Sequence, residues 1–213
     1  MSDLPVLYSF RRCPYAMRAR MALMISGTPV RLREVVLKDK PVEMLEASPK
    51  GTVPVLVDSD LVIEESRDVM DWALARHDPE EWLSRADPAL TDVCDGSFKH
   101  HLDRYKYTTR YDGENAIAHR QAGMAFLEML EERLVAEPYL CGPARGHADI
   151  SIFPFVRQFR IADPAWFDAA PLPKVRAWLS ALMNSPLFAS IMEKYPAWKT
   201  SGDEFLLSTD ASA

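Results

Sequence analysis

Over the first seventy-odd residues, apolar positions change between the two-residue spacing of strands and the three-to-four-residue spacing of helices. The helical spacing is clearest after Pro14, which suits a first helical turn, and it stops at Gly27, a common helix terminator. The expected strands are PVLYSF, PVRLREVVL, VPVLV and LVI, of which the last two flank the turn residues DSD as a hairpin.

Two further helices are predicted in this half of the chain. PVEMLEAS is a short one. A longer one follows Ser66, its expected N-cap, with Asp68 in the first turn, where the helix dipole favours an anion. The predicted order is β-α-β-α-β-β-α, which indicates a small α/β domain over residues 1–78.

The pattern changes at residue 79. Residues 79–88 carry prolines and many charges and are predicted to form a linker. Residues 89–213 have helical spacing nearly throughout, which predicts an all-helical domain. Its segment HADISIFPFVRQF is apolar nearly all round and is expected to be the buried central helix. The other expected helices are ALTDVCDGSFKHHLDRYKYTTRYD, NAIAHRQAGMAFLEMLEERLVAE, PKVRAWLSALMNS and LFASIM. The first of these contains Gly96, which is unfavourable inside a helix.

Composition narrows the class of protein. The 213 residues are 48% hydrophobic, and the net charge of -6 gives no electrostatic reason to bind nucleic acid or an anionic membrane. No apolar run approaches the roughly 18 residues of a membrane helix, and the start MSDLPVLYSF lacks the features of a secretory signal. Three widely separated cysteines argue against a disulfide framework, so we expect a cytoplasmic protein.

A metal site is not expected from the spacing of potential ligands. Cys94 lies near His100 and His101, and Cys141 lies near His147, but neither group has the paired close spacing of zinc sites. Both cysteines are interpreted as buried thiols in helices, and no metal is predicted.

Cys13 carries the clearest candidate chemistry. If it caps the helix that begins at Pro14, its sulfur lies at the positive end of the helix dipole, near Arg11 and Arg12, and these features favour thiolate over thiol. A buried cysteine that only packs is the alternative, and the Cys-Pro pair alone does not decide between the two. The preceding strand favours reactivity, because loops between strands and helices hold ligands in α/β proteins.

The segment CPYA has Ala16 where a dithiol oxidoreductase has its second cysteine. Cys13 therefore cannot close a local disulfide, and a mixed disulfide formed on it must be resolved by an outside thiol. This indicates a small thiol as cosubstrate.

Two other segments suit such a ligand. In GTVPVL, a cis bond between Val53 and Pro54 would leave the backbone of Val53 open to an extended peptide. In EES, Glu65 can pair with an ammonium group, and the N–H groups near Ser66 can bind a carboxylate. Each segment also has a purely structural interpretation, as an edge-strand proline, a surface charge and a helix cap.

Taken in order, FRRCPYAMRARMAL, LKDKP, GTVPVL and EES resemble the cytosolic glutathione transferases, most closely the cysteine-type, omega-like branch. The resemblance spans essentially the whole chain, although its specific motifs lie in the first 80 residues. It implies a thioredoxin-like N-terminal domain, an all-helical C-terminal domain, glutathione as cosubstrate and a homodimer. It also implies that Cys13 is the catalytic cysteine, which forms a mixed disulfide with glutathione or contacts its sulfur.

The same resemblance assigns the glutathione-binding residues. Val53, before Pro54, matches the residue whose backbone pairs with the cysteinyl part of glutathione. Glu65 and Ser66 match the pair that holds the γ-glutamyl end, and Lys40 matches the lysine that reaches the glycyl carboxylate.

Two features of the helical half also follow from the resemblance. Asp149 in GHADIS matches a carboxylate at a helix start, but Gly146 stands where the family usually has serine or threonine, so we interpret Asp149 as a folding element with an incomplete cap. His101 and Tyr105, spaced i, i+4, are expected to share a helix face and contact a second substrate. A solvated or subunit-contacting face is the alternative.

Three functions remain open. The expected one is glutathione-dependent thiol transfer through Cys13: reduction of mixed disulfides, deglutathionylation, or reduction of dehydroascorbate-like oxidants. The second is conjugation, in which a hydroxyl donor such as Tyr8 or Ser9 assists the thiol of glutathione in attacking an electrophile. The third is a non-enzymatic, glutathione-binding regulatory protein.

Overall fold

In the computed structural model, which describes residues 4–208, the first eighty residues follow the predicted order β-α-β-α-β-β-α. Their elements are β1 (Val6–Ser9), α1 (Pro14–Ser26), β2 (Val30–Glu34), α2 (Val42–Ala47), β3 (Val55–Asp58), β4 (Leu61–Ile63) and α3 (Ser66–Leu74). A helical part follows, with α4 (Pro88–Val93), α5 (Lys99–Lys106), α6 (Ala116–Ala136), α7 (His147–Ala162), α8 (Pro164–Ala169) and α9 (Pro173–Met183). The last elements are α10 (Pro186–Ile191), α11 (Trp198–Ser201) and β5 (Phe205–Leu207). The predicted fold class, an α/β domain followed by helices, is confirmed.

The five strands form one mixed sheet in the order β4-β3-β1-β2-β5. β1 and β2 are parallel, as a crossover through α1 requires, and β3 and β4 form the predicted antiparallel hairpin. Along β2, Val30 and Leu32 are buried, whereas Arg31 and Arg33 are half-exposed. This alternation confirms the half-buried strand expected from the sequence.

The division into compact units differs from the predicted domain boundaries. One unit contains the described residues up to Glu80 together with those from Pro186 onward, and the other is Glu81–Ser185. The sequence assigned all of 89–213 to the helical domain, but β5 runs antiparallel to β2 in the first unit. A three-residue strand is too short to show a periodic pattern, which is why sequence reasoning missed it.

Both ends of α1 have the expected local chemistry. Cys13 is its N-cap and Pro14 its first residue. Gly27 ends it with a φ of 66°, in the left-handed region, and its N–H bonds to the carbonyls of Leu23 and Met24. The helix thus begins and ends where the sequence predicted, which fixes Cys13 between β1 and α1.

The helical unit confirms the buried α7 and corrects two other predictions. The segment expected as one helix from residue 89 is broken into α4, a π-helical turn at Cys94–Phe98 that contains Gly96, and α5. The segment 79–88 is not a simple linker, because Trp82 is fully buried and Leu83–Arg85 forms a 3-10 turn. Among the helices of residues 4–208, none is long and apolar enough to cross a membrane.

Candidate active site

The thiol of Cys13 lies at the N-terminus of α1, beside the turn that precedes β3. Its backbone is extended, with a φ of -74° and a ψ of 124°, and its N–H donates to the carbonyl of Phe10 at 3.0 Å. The side chain is half-buried, and the Sγ–H donates to the carbonyl oxygen of Val53 over 3.7 Å. The positive end of the helix dipole favours thiolate at this position, whereas the hydrogen bond to the Val53 carbonyl belongs to the protonated thiol.

Buried charges behind Cys13 hold the loop that carries it. Arg20 is 1% exposed and donates from Nη2 to the carbonyl of Arg11 at 2.7 Å, while Glu34 accepts from the N–H of Arg11 at 2.7 Å. Burial lowers the pKa of Arg20 to about 10, and the charges of Glu34 and Cys13 act in the opposite direction. Burial likewise raises the pKa of Glu34, against the Arg11 hydrogen bond and the charge of Arg20.

Sequence reasoning missed this support. It assigned the neighbouring positive charge to Arg11 and Arg12, but Arg12 is exposed, and the buried guanidinium electrostatically coupled to Cys13 belongs to Arg20. The available signal was an arginine between the apolar positions Ala19 and Met21 of α1, where an unpaired charge would be costly.

The peptide bond between Val53 and Pro54 is cis, one of the two conformations that the sequence left open. Val53 is buried and lies two residues before the start of β3, just beyond the ladder of that strand. Lys40 approaches the same turn: its Nζ is 3.7 Å from the point where a Cβ would stand on Gly51. Cys13, Val53 and Lys40 are therefore grouped around one turn of the first unit.

Glu65 and Ser66 lie at the start of α3, with one correction to the prediction. Glu65 is the N-cap and Ser66 the first helical residue, and the hydroxyl of Ser66 is buried, where it accepts from Nε of Arg18 at 3.0 Å. The carboxylate of Glu65 is exposed and paired with Lys50. The N–H groups of a helix N-terminus can bind an anion, but the side chain of Ser66 is committed to joining α3 to α1.

The two hydroxyl groups considered for the conjugation chemistry are both engaged. Tyr8 is 3% exposed, and its hydroxyl accepts from Nη1 of Arg33 at 2.6 Å. Burial raises the pKa of Tyr8, although Arg33 opposes the shift. Ser9 is fully buried and accepts from Arg20. Of the three residues, Tyr8 and Ser9 are buried and Cys13 is half-buried.

His101 and Tyr105 lie on α5, as predicted, but have different surroundings. Tyr105 is buried, with its ring 4.9 Å from that of Phe159, and burial raises its pKa. His101 is half-buried, and its Nδ1 lies 2.9 Å from Nδ1 of His119; burial, followed by neighbouring positive groups, lowers its pKa. A role for this pair in binding a second substrate stays a prediction.

Known proteins resemble this chain over most of its length. The models for the N-terminal and C-terminal domains of glutathione S-transferases match residues 7–81 and 80–181. Glutathione S-transferase 4 of Zea mays is 28% identical over 212 residues, covering 89% of this chain and 92% of that protein. The stringent starvation protein A homolog of Haemophilus influenzae is 27% identical over 157 residues, covering 70% of this chain and 72% of that protein. A solved structure of a glutathione transferase family member from Pseudomonas fluorescens Pf-5, with two glutathione bound, matches this chain with a TM-score of 0.72. The match covers 91% of this chain and 94% of that chain at 19% identity, and it shows a likeness of fold.

Proposed function

Since the chain belongs to the glutathione S-transferase family, we propose that it uses glutathione as cosubstrate and transfers thiols through Cys13, as a member of the cysteine-type, omega-like branch. The reactions would be reduction of mixed disulfides, deglutathionylation and reduction of dehydroascorbate-like oxidants. One observation carries the proposal: Cys13 is the N-cap residue of α1, and its Sγ lies 3.7 Å from the carbonyl oxygen of Val53, next to a cis proline.

The proposed reaction has two thiol–disulfide exchanges. The thiolate of Cys13 attacks the glutathione sulfur of a mixed disulfide, so that a Cys13–glutathione disulfide forms and the other thiol leaves and takes up a proton. A second glutathione, as thiolate, attacks the sulfur of the bound glutathione, which releases oxidised glutathione and restores the Cys13 thiolate. The second step requires an external thiol because Ala16 stands where a resolving cysteine would be.

The surroundings of Cys13 support a binding mode for glutathione. The backbone of Val53 would pair with the cysteinyl unit, the N–H groups at the start of α3 would bind the γ-glutamyl carboxylate, and Lys40 would reach the glycyl carboxylate. Glu65 would bind the ammonium group by exchanging its present partner, Lys50. The exchange costs little, because ion pairs between exposed side chains are screened by solvent and contribute little to stability.

A conjugating reaction is the second candidate, favoured by similarity to plant enzymes such as glutathione S-transferase 4 of Zea mays. In that reaction the sulfur of glutathione forms a bond with an electrophilic carbon, the leaving group departs with its electron pair, and the thiol proton passes to solvent. Cys13 would then contact the sulfur of glutathione without forming a bond to it.

The distinguishing experiment compares Cys13→Ser with Cys141→Ser, in which a half-buried thiol of the helical unit is removed instead. Burial raises the pKa of Cys141, which makes it a poor nucleophile and a suitable control. Each variant is assayed for reduction of a small glutathione mixed disulfide and for conjugation of an aryl chloride. Mass spectrometry of the wild type after exposure to oxidised glutathione maps the adduct.

We expect Cys13→Ser to lose thiol transfer by at least about 100-fold, Cys141→Ser to retain it, and one glutathione adduct to map to Cys13. Thiol transfer that persists in Cys13→Ser would exclude the first candidate, and retained conjugation in that variant would favour the second. Failure of glutathione to bind in calorimetry would exclude both reactions, whereas glutathione binding without either activity would leave the non-enzymatic, glutathione-binding regulatory role. We also propose a homodimer, to be measured by light scattering.

A further inference from the structure

Three histidines of the helical unit converge on one point. His100 and His101 are consecutive on α5, and His119 lies in the first turn of α6. One ring nitrogen from each lies within 4.8 Å of those of the other two, and Nδ1 of His101 is 2.9 Å from Nδ1 of His119. His100 is exposed and the other two are half-buried, so the cluster is accessible from solvent.

The spacing of the rings fits a shared metal ion. With a metal–nitrogen distance of about 2.1 Å, the centre of a coordinated imidazole lies about 3.2 Å from the ion, and two rings at tetrahedral positions have centres about 5.2 Å apart. The observed separations are 5.0 Å between His100 and His101, 5.2 Å between His101 and His119, and 5.8 Å between His100 and His119. The separation of His101 and His119 already matches the tetrahedral value, so the adjustment falls to His100, the exposed member, which can turn its side chain.

An acidic residue orients one of the three rings. Nε2 of His119 lies 2.7 Å from Oε2 of Glu114, which also forms an ion pair with Arg104. A proton held on Nε2 by this carboxylate leaves the lone pair of Nδ1 directed at His101. Metal-binding histidines have the same arrangement, in which a carboxylate fixes the tautomer and the ring orientation.

We propose that His100, His101 and His119 bind one divalent transition metal ion of the Zn²⁺ type, with Glu114 as an outer positioning residue. Imidazole nitrogen suits zinc, copper and nickel, whereas magnesium and calcium prefer oxygen ligands. Three histidines fill three tetrahedral positions and leave the fourth to water. The site is independent of the glutathione chemistry proposed for Cys13.

The sequence did not indicate this site, and we predicted no metal there. Sequence reasoning considered Cys94 as the partner of His100 and His101, but Cys94 is fully buried. The third histidine comes 18 residues after His101. The fold brings it alongside through the packing of α6 against α5, which ligand spacing in a linear motif does not show.

The test uses the full chain without a histidine tag, stripped of metal and titrated calorimetrically with Zn²⁺, and separately with Co²⁺ while visible absorption is recorded. We expect one ion per chain, tetrahedral cobalt bands and a rise of several degrees in Tm. His101→Gln and His119→Gln should each weaken binding at least about 100-fold, and Glu114→Gln about 10–100-fold. His77→Gln, which removes an exposed histidine outside the cluster, should bind as the wild type does.

Three results would overturn the proposal. They are Zn²⁺ binding that is unchanged in both His101→Gln and His119→Gln, cobalt spectra with thiolate charge-transfer bands, and no saturation up to about 1 mM ion. Circular dichroism of the metal-free variants checks their folding. If the imidazole variants fold poorly, Glu114→Gln still tests the site because it retains all three ligands, and unchanged affinity in a folded Glu114→Gln would contradict the assigned orientation of His119.

Discussion

Replacing Asp149 with asparagine would exchange one buried carboxylate oxygen for an amide group at the start of α7. The side chain of Asp149 is fully buried and accepts hydrogen bonds from three other residues. Oδ1 accepts from the N–H of Leu140 at 2.9 Å and from Nε1 of Trp178 at 2.7 Å, and Oδ2 accepts from the N–H of Gly146 at 2.9 Å. Burial raises the pKa of Asp149, whereas these three donors lower it.

The size of the effect follows from counting donors. An asparagine keeps one oxygen for Leu140 and Trp178, but its NH₂ group faces the N–H of Gly146, so two donors meet without an acceptor. A buried donor left unsatisfied costs about 1–3 kcal/mol, and the two remaining bonds lose the contribution of the charge. We expect a total of about 3 kcal/mol, equivalent to a fall in Tm of roughly 6–12 °C for a chain of this size.

The assay is thermal and urea unfolding of Asp149→Asn beside Asp163→Asn. Asp163 is a half-buried N-cap that accepts from the N–H of Trp166 and pairs with Arg120 at 3.6 Å. Asparagine caps helices as well as aspartate, so this control should change stability much less than Asp149→Asn does. Activity per folded molecule should be unchanged, because Asp149 is interpreted as a folding element. A Tm of Asp149→Asn within about 1 °C of the wild type would refute the reasoning.

Three further predictions concern residues elsewhere in the chain. A hydrogen bond from the Leu90 N–H at the start of α4 holds the pKa of Asp87 below its ordinary value. The ionised carboxylate of Asp87 therefore stabilises the fold at neutral pH, and this contribution is lost as pH falls through the lowered pKa. The unfolding free energies of the wild type and Asp87→Asn should differ by about 0.5–1 kcal/mol at pH 7 and become equal in acid. Gly146→Ala should cost about 1–3 kcal/mol in urea unfolding, because its Cβ would lie 2.4 Å from Cβ of Arg85 and 2.9 Å from the Arg85 carbonyl oxygen. Arg20→Lys keeps the charge but loses the planar fork, so iodoacetamide should alkylate Cys13 several-fold more slowly at neutral pH.

Each of these predictions has a result that contradicts it. For Asp87→Asn it is a difference in stability that does not depend on pH. For Gly146→Ala it is a stability equal to that of the wild type. The φ of Gly146 is -148°, which any residue adopts, so the expected cost comes from the contact with Arg85, and equal stability would show that this contact is relieved. For Arg20→Lys it is an unchanged alkylation rate in a variant whose circular dichroism matches the wild type.

Local patterns were sufficient to predict the first half of the fold. The Pro14 to Gly27 helix, the alternation of β2 and the hairpin of β3 and β4 each depend on residues adjacent in sequence, and each is confirmed. The N-cap position of Cys13 and the cis-compatible Val53–Pro54 bond were predicted in the same way, because each depends on two or three adjacent residues. The catalytic role of Cys13 stays a prediction.

The features that sequence reasoning missed depend on residues far apart in the chain. Arg20 supports the loop of Cys13 through hydrogen bonds to backbone and hydroxyl groups, which carry no sequence pattern. Ser66 was expected as an N-cap, but its hydroxyl is bound by Arg18, 48 residues away, and the cap shifts to Glu65. β5 is stabilised by pairing with β2 rather than by a pattern of its own.

The return of the chain to the first unit has a consequence for the timing of folding during synthesis. Glu204, just before β5, forms ion pairs with Arg31 and Arg33, and α10 packs on α1. At about 5–20 residues per second, a ribosome needs roughly 6–25 s to pass from Glu80 to β5. During that interval the backbone groups of β2 that face β5 have no strand to pair with, while the whole of Glu81–Ser185 emerges and can fold. The unit that is translated first is therefore the last to be completed.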